Sequence, residues 1–153
     1  MKLILISDSH GNRDGIDKIF STKKFDYLFF MGDGLNDLGL YYVMNNVFAV
    51  SGNCDFFSKV ENEKFVDLNG KKIFITHGNK YGVKSNLNQL IDKANDIGAD
   101  FVFYGHTHKQ KAEKIGETYF INPGSFHKNS FGKSIGLEIV IDKDIKIKQF
   151  EIE

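Results

Sequence analysis

Phe101-Val102-Phe103-Tyr104-Gly105-His106-Thr107-His108 is an apolar run that stops at a glycine and then presents two histidines at i and i+2. Four large apolar residues in succession suit a strand covered on both faces. Beyond the glycine, an extended chain turns residues i and i+2 to the same side, so both imidazoles can face one ligand, and such pairs bind first-row metals. A lone His-x-His is also well explained as an exposed polar turn. The recurrence of the pattern decides between the two, because other apolar runs in this chain also stop at a glycine beside Asp, Asn or His.

Toward the N-terminus, Lys2 to Ser7 is a continuous apolar run that delivers Asp8-Ser9-His10-Gly11-Asn12. Asp14 to Ser21 reads as a helix, with Ile16, Ile19 and Phe20 at helical spacing. A second strand, Asp26 to Met31, ends at Gly32-Asp33-Gly34, a helix follows over Leu35 to Asn45, and a third strand, Val47 to Ser51, ends at Gly52-Asn53-Cys54-Asp55. Strand, loop and helix repeated in this way predict parallel strands with crossover helices, an α/β fold.

Phe65 to Leu68 and Lys72 to Ile75 flank Asn69-Gly70, the dipeptide of a type I′ hairpin turn, and the hairpin ends at His77-Gly78. Leu87 to Ile97 is amphipathic and leads into the Phe101 strand. After His108 the runs Lys111 to Ile115, Thr118 to Ile121, Ile135 to Ile141 and Ile145 to Ile152 alternate between short turns and predict an antiparallel meander. Pro123, the single proline, lies in the turn signal Asn122-Pro123-Gly124-Ser125.

With 153 residues and 41% hydrophobic composition, the expectation is one domain over 1–153 with a sizeable core. Twenty basic residues balance twenty acidic ones, so no basic footprint points to a polymeric nucleic acid. No apolar run approaches the roughly 20 residues of a membrane span, and Ser7-Asp8 interrupts the first one. Cys54 is the only cysteine, which rules out an internal disulfide. A soluble cytoplasmic protein without a membrane partner is expected, with homo-oligomerisation left open.

Asp8, His10, Asp33, Asn53, His77, His106 and His108 each lie just past a strand-like run. Ligands of α/β sheets gather at the carboxyl ends of strands, so these residues can converge although they are distant in sequence. Imidazole, carboxylate and amide donors suit Mn²⁺, Fe²⁺, Ni²⁺ or Zn²⁺. Seven donors exceed the needs of one ion with its waters, and two ions sharing a bridging carboxylate is the economical arrangement. Helix capping remains the plain alternative for Asp8 and Asp33, and a turn role for Asn53.

As an ordered set, Asp8-Ser9-His10, Gly32-Asp33, Gly52-Asn53-Cys54-Asp55, His77-Gly78 and Gly105-His106-Thr107-His108 resemble the calcineurin-like metallophosphoesterases, and among them the small bacterial and archaeal phosphodiesterases. The resemblance runs from Lys2 to Ser125. It implies a four-layer α/β/β/α sandwich with metals at the strand ends. It also implies Asp8, His10, Asp33 and His108 around one metal, Asp33, Asn53, His77 and His106 around the other, and Asp33 as the bridge. The activity implied is that of a binuclear metal-dependent phosphoesterase, most simply a phosphodiesterase, in which a metal-bound hydroxide attacks phosphorus in a small phosphoester. Asp33, Asn53 and His77 are the expected catalytic residues, Mn²⁺ the first candidate metal, with Ni²⁺, Fe²⁺ or Zn²⁺ behind it.

Cys54 departs from the pattern, because many members of the family carry there a histidine thought to protonate the leaving group. Asn12, Arg13 (the sole arginine) and Cys54 are the candidate substrate contacts, and His127 reads as a surface loop residue. Three rival readings exist. Gly32-Asp33-Gly34-Leu35-Asn36-Asp37 looks like a haloacid-dehalogenase motif, but that class needs Asp-x-Asp on the first strand. A non-catalytic metal-binding interaction scaffold on the same fold would usually have lost ligands. A cysteine hydrolase built on Cys54 and His77 leaves the remaining ligands unexplained.

Overall fold

The computed structural model describes residues 1–153, and its core follows from strands that are apolar on both faces. In β1 (Lys2–Ile6), Leu3 and Leu5 point one way and Ile4 and Ile6 the other, all four fully buried. Each face therefore needs a cover. Leu3 and Leu5, with Phe29 of β2 (Tyr27–Phe30), pack into a cluster that holds Ile73, Ile75, Phe101, Phe103 and Ile121 of a second sheet. Ile4 and Ile6 pack with Leu28 and Phe30 against Ile16 and Ile19 of α1 (Arg13–Thr22).

The first sheet also contains β3 (Val47–Ala49), β9 (Ser134–Ile141) and β10 (Ile145–Ile152), in the order β10-β9-β1-β2-β3. The expected parallel pairing of the opening third holds: β1 pairs with β2 and β2 with β3, both parallel. The second sheet contains β4 (Glu63–Leu68), β5 (Lys71–Thr76), β6 (Phe101–Phe103), β7 (Lys111–Ile115) and β8 (Thr118–Asn122), in the order β4-β5-β6-β8-β7. Its outer face, carrying Phe74, Val102 and Phe120, is covered by Leu90 and Ala94 of α3 (Asn88–Ile97). Three apolar clusters thus fill the three spaces between four layers, which is the expected α/β/β/α sandwich.

Asn69 and Gly70 adopt φ of 54° and 81° between β4 and β5, the signs a type I′ turn requires. Two expectations are corrected. The helix over Leu35 to Asn45 is a four-residue α2 (Leu35–Leu38) followed by a 3₁₀ turn over Gly39–Val43, because Gly39 takes φ 51° and breaks the first helix. The four strands after His108 are not one meander. β7 and β8 form a hairpin in the second sheet, while β9 and β10 form a hairpin that joins the first sheet antiparallel to β1. Alternation fixes each hairpin locally, but only the burial of Leu137, Ile139 and Ile141 between the sheets selects the edge on which β9 docks.

Candidate metal centre

The carboxyl ends of β1, β2 and β3 in one sheet and of β5 and β6 in the other open toward a common point, and every strand-end motif lands there. Backbone bonds lock the loops together. Asp8 N–H donates to Gly32 O at 2.9 Å, His10 N–H to Asp33 O at 3.3 Å, and Gly105 N–H to His77 O at 3.0 Å. Seven non-glycine residues have positive φ, and five of them are Asp8, His10, Asp33, His106 and His108. Such conformations cost of order 1–3 kcal/mol each and persist only where the surroundings impose them, as at functional sites.

The donor atoms fall into groups of three, each within 4.8 Å: Asp8, His10 and His108; Asp33, His77 and His106; and His10, Asp33 and Cys54. Asp33 belongs to two of these groups. Its Oδ1 accepts from Cys54 N–H at 2.7 Å, while its Oδ2 lies 3.3 Å from His77 Nε2 and 3.9 Å from His10 Nε2. Burial by itself would raise the Asp33 carboxyl, but the hydrogen bonds and charge of His77 and the Cys54 N–H hold it down at about 2. Asp33 is therefore an anion at any neutral pH.

Asp8 divides its two oxygens. Oδ2 accepts from Ser7 Oγ at 2.5 Å and from His106 N–H at 3.1 Å. Oδ1 is buried and has no hydrogen-bond partner, although His108 Nε2 at 3.0 Å, His10 Nε2 at 3.8 Å and His77 Nε2 at 3.9 Å surround it. A buried carboxylate oxygen without a partner is costly unless a cation sits against it.

His77 gives the same indication. Its Nδ1 stands 2.6 Å from Met31 O, and a carbonyl can only accept, so in the neutral ring Nε2 holds the lone pair. That lone pair faces Asp33 Oδ2, Asp8 Oδ1 and, at 3.2 Å, His106 Nδ1. Burial disfavours the charged form of His77, yet Asp33 and Asp8 outweigh it and raise the imidazole above its ordinary range. His10 Nε2 and His108 Nε2 likewise meet at 3.3 Å. This donor set, imidazole nitrogens converging on carboxylate oxygens, fits divalent ions.

Asn53 is exposed on the same loop, with its Nδ2 3.5 Å from Cys54 Sγ. Cys54 is exposed at the mouth, and burial followed by the charges of Asp33, Asp55 and Asp8 pushes its thiol up. Two expected substrate contacts, Asn12 and Arg13, also hold structural positions, and Asn12 borders the smaller cleft that reaches His10. Asn12 is buried and caps α1 by accepting from Gly15 N–H at 3.1 Å; its amide donates to Phe126 O and Ser134 Oγ, both at 2.7 Å. Both amide protons are spent inside the chain. Arg13 lays its guanidinium over Gly39 and lines neither of the two clefts that reach His10. His127 borders the smaller of those clefts, beside Lys128.

Asp55 is the residue whose role the sequence did not reveal. Its carboxylate accepts from four backbone N–H groups: those of Asp33, Gly34 and Gly52 at 2.8 Å and that of Leu35 at 2.9 Å. It thereby fixes the Asp33 loop to the Asn53 loop. Only the Gly52 contact lies within a turn's reach in sequence, so no local pattern announces the other three.

Two stacked mixed sheets with carboxylates and imidazoles gathered at their strand ends are the arrangement expected of a metallophosphoesterase. The sequence model of the calcineurin-like phosphoesterase superfamily domain matches residues 1–143, and the chain belongs to that family. It is 31% identical over 126 residues to the probable metallophosphoesterase YsnB of Bacillus subtilis, covering 82% of this chain and 75% of the relative. It is 32% identical over 152 residues to the phosphodiesterase YfcE of Escherichia coli, covering 82% and 79%. A solved Streptococcus pneumoniae protein described as a predicted phosphoesterase superposes with a TM-score of 0.84 over 99% of this chain and 97% of that one, at 24% identity. Family and fold together exclude the haloacid-dehalogenase alternative. No helix is long and apolar enough to cross a membrane.

Proposed function

We propose that this protein is a binuclear metal-dependent phosphodiesterase acting on small phosphoesters. Asp8, His10, Asp33 and His108 would hold one ion and Asp33, Asn53, His77 and His106 the other, with Asp33 shared by the two sets. The observation that carries the reading is the buried, unpartnered Asp8 Oδ1 with three imidazole nitrogens around it. Two divalent ions, Mn²⁺ first, would supply the Lewis acidity that activates water and offsets phosphoryl charge.

The chain's own residues orient that chemistry. Met31 O fixes the ring of His77, Ser7 and the His106 N–H fix Asp8, and the Cys54 N–H fixes Asp33. The preference for a diester rests on charge: the larger cleft over the site, about 650 Å³, is lined by Asp33, Asp37 and Asp55 and by no Lys or Arg. A singly charged diester meets less repulsion there than a doubly charged monoester.

The test strips the protein with chelator and reloads it with Mn²⁺, Ni²⁺, Zn²⁺ or Mg²⁺, assaying bis(4-nitrophenyl) phosphate, 4-nitrophenyl phosphate and cyclic nucleotides. Turnover of the diester should return with Mn²⁺ and exceed that of the monoester. Asp33→Asn should lose both ions by metal analysis and drop hydrolysis by orders of magnitude. Two retained ions with near-normal turnover in Asp33→Asn would remove Asp33 from the bridging position.

A further inference from the structure

The cleft over the metal centre has two unlike kinds of lining. His10, Asp33 and Cys54 supply polar donor atoms. Leu35, Tyr42, Phe56, Phe57 and Val60 supply an apolar wall. The cleft's volume, about 650 Å³, falls within the range of small-molecule pockets, roughly 300–1,000 Å³.

The apolar wall is not a by-product of packing. Phe56 is 77% exposed, Phe57 fully exposed and Tyr42 39% exposed, so none of the three rings is there to fill the core. Phe57 also adopts φ 59°, a conformation that a bulky side chain takes at a cost and that here brings it no buried surface in return. Phe56 and Phe57 directly follow Asp55, whose four backbone hydrogen bonds tie their loop to Asp33. The rings are thus carried on a segment anchored to the metal centre itself.

We infer that this wall is the subsite for the organic arm of the substrate, and that the arm is planar, aromatic and uncharged, so that the substrate class is a singly phosphorylated aromatic ester. This assignment rests on the phosphodiesterase reading and narrows it. Aromatic rings stack in offset or edge-to-face arrangements worth about 0.5–1.5 kcal/mol beyond area burial, and Tyr42, Phe56 and Phe57 line the same cleft. The acidic, lysine-free and arginine-free lining gives a second phosphate no counter-ion, which disfavours nucleoside polyphosphates and polymeric backbones. The arm can be a bare aryl group or a nucleobase, whose shared feature is the π-face.

Calorimetry on the Mn²⁺-loaded protein tests this without turnover, using singly charged phosphinates as diester mimics: methyl(phenyl)phosphinate against dimethylphosphinate, and the 5′-methylphosphinate of 5′-deoxyadenosine against that of 5-deoxyribose. Wild type should bind methyl(phenyl)phosphinate about tenfold tighter than dimethylphosphinate, and Phe56→Ala and Tyr42→Ala should each bring that ratio toward 1. An advantage confined to the adenosine pair assigns the wall to a nucleobase; an equal advantage in both pairs assigns it to any aryl group. Ratios near 1 in the wild type for both pairs overturn the subsite. Lack of bis(4-nitrophenyl) phosphate turnover with every ion would overturn the hydrolase reading instead, while the binding ratios would still decide the subsite.

Discussion

Cys54 sits where the family resemblance implies a histidine, and its surroundings determine what it can do. Burial and the neighbouring carboxylates of Asp33, Asp55 and Asp8 all disfavour the thiolate, so at neutral pH Cys54 is a protonated thiol beside Asp33. A thiolate nucleophile is the least favourable species at this position. As a proton donor to a leaving group, the thiol is a much weaker acid than imidazolium. Cys54→Ala should therefore leave hydrolysis of a nitrophenyl diester within severalfold of wild type, since nitrophenolate departs without help. General acid catalysis is worth roughly 10²–10⁴-fold, and Cys54→His should recover part of that range on a cyclic nucleotide while changing the nitrophenyl rate little. Paired rate measurements on the two substrates check both variants. Loss of all activity in Cys54→Ala with metals still bound would revive covalent catalysis.

Among the elements, the loops decide the site and the strands only deliver them. Gly52 and Gly105 stand where a side chain cannot: a Cβ at Gly52 would run into Asp33 Oδ1, and one at Gly105 into Ser7 Oγ and Asp8 Oδ2. The Asp33 loop and the Asn53 loop are separate in sequence and become one unit through Asp55. Asp55→Ala removes the charged acceptor of four N–H groups, and hydrogen bonds to charged groups are worth about 1.5–3 kcal/mol. The variant should lose at least the worth of one such bond, about 1.5–3 kcal/mol of unfolding free energy, and bind Mn²⁺ more weakly, because Asp33 Oδ2 loses its fixed direction. Calorimetric titration with Mn²⁺ and denaturant unfolding measure the two effects separately. Wild-type metal affinity in Asp55→Ala would show that the Asp33 loop holds itself.

For the whole molecule, the proposed metal ligands straddle the two sheets: Asp8, His10 and Asp33 come from the first, His77, His106 and His108 from the second. Metal bound there cross-links the layers and binds the folded chain alone. At a hundredfold excess over Kd this is worth about 2.7 kcal/mol. For a chain of this size each kcal/mol shifts Tm by roughly 2–4 °C, so Mn²⁺ should raise Tm by about 5–10 °C over the chelator-treated protein. Asp8→Asn should lose most of that shift. A Tm indifferent to Mn²⁺ and to chelator would count against ions held between the sheets.

The sequence by itself determined much of this protein. Apolar runs such as Lys2 to Ser7 and Phe101 to Tyr104 can be stable only when both faces are covered, and that requirement is local, so the strands and the hairpin turn were legible, while the four-layer order came only from the resemblance to a known family. Strand-end polar residues were legible for the same reason, since the carboxyl end of a buried strand is where a ligand can reach it. Tertiary structure alone decided the rest. Gly39 halts the second helix through a backbone conformation that helical periodicity does not encode. β9 joins the first sheet because its inward residues complete a cluster with Leu3, Leu5 and Phe29, which lie more than a hundred residues away in sequence. Asn12 spends its amide on Phe126 and Ser134, and Asp55 spends its carboxylate on the Asp33 loop, through hydrogen bonds between segments that meet only once the two sheets have stacked.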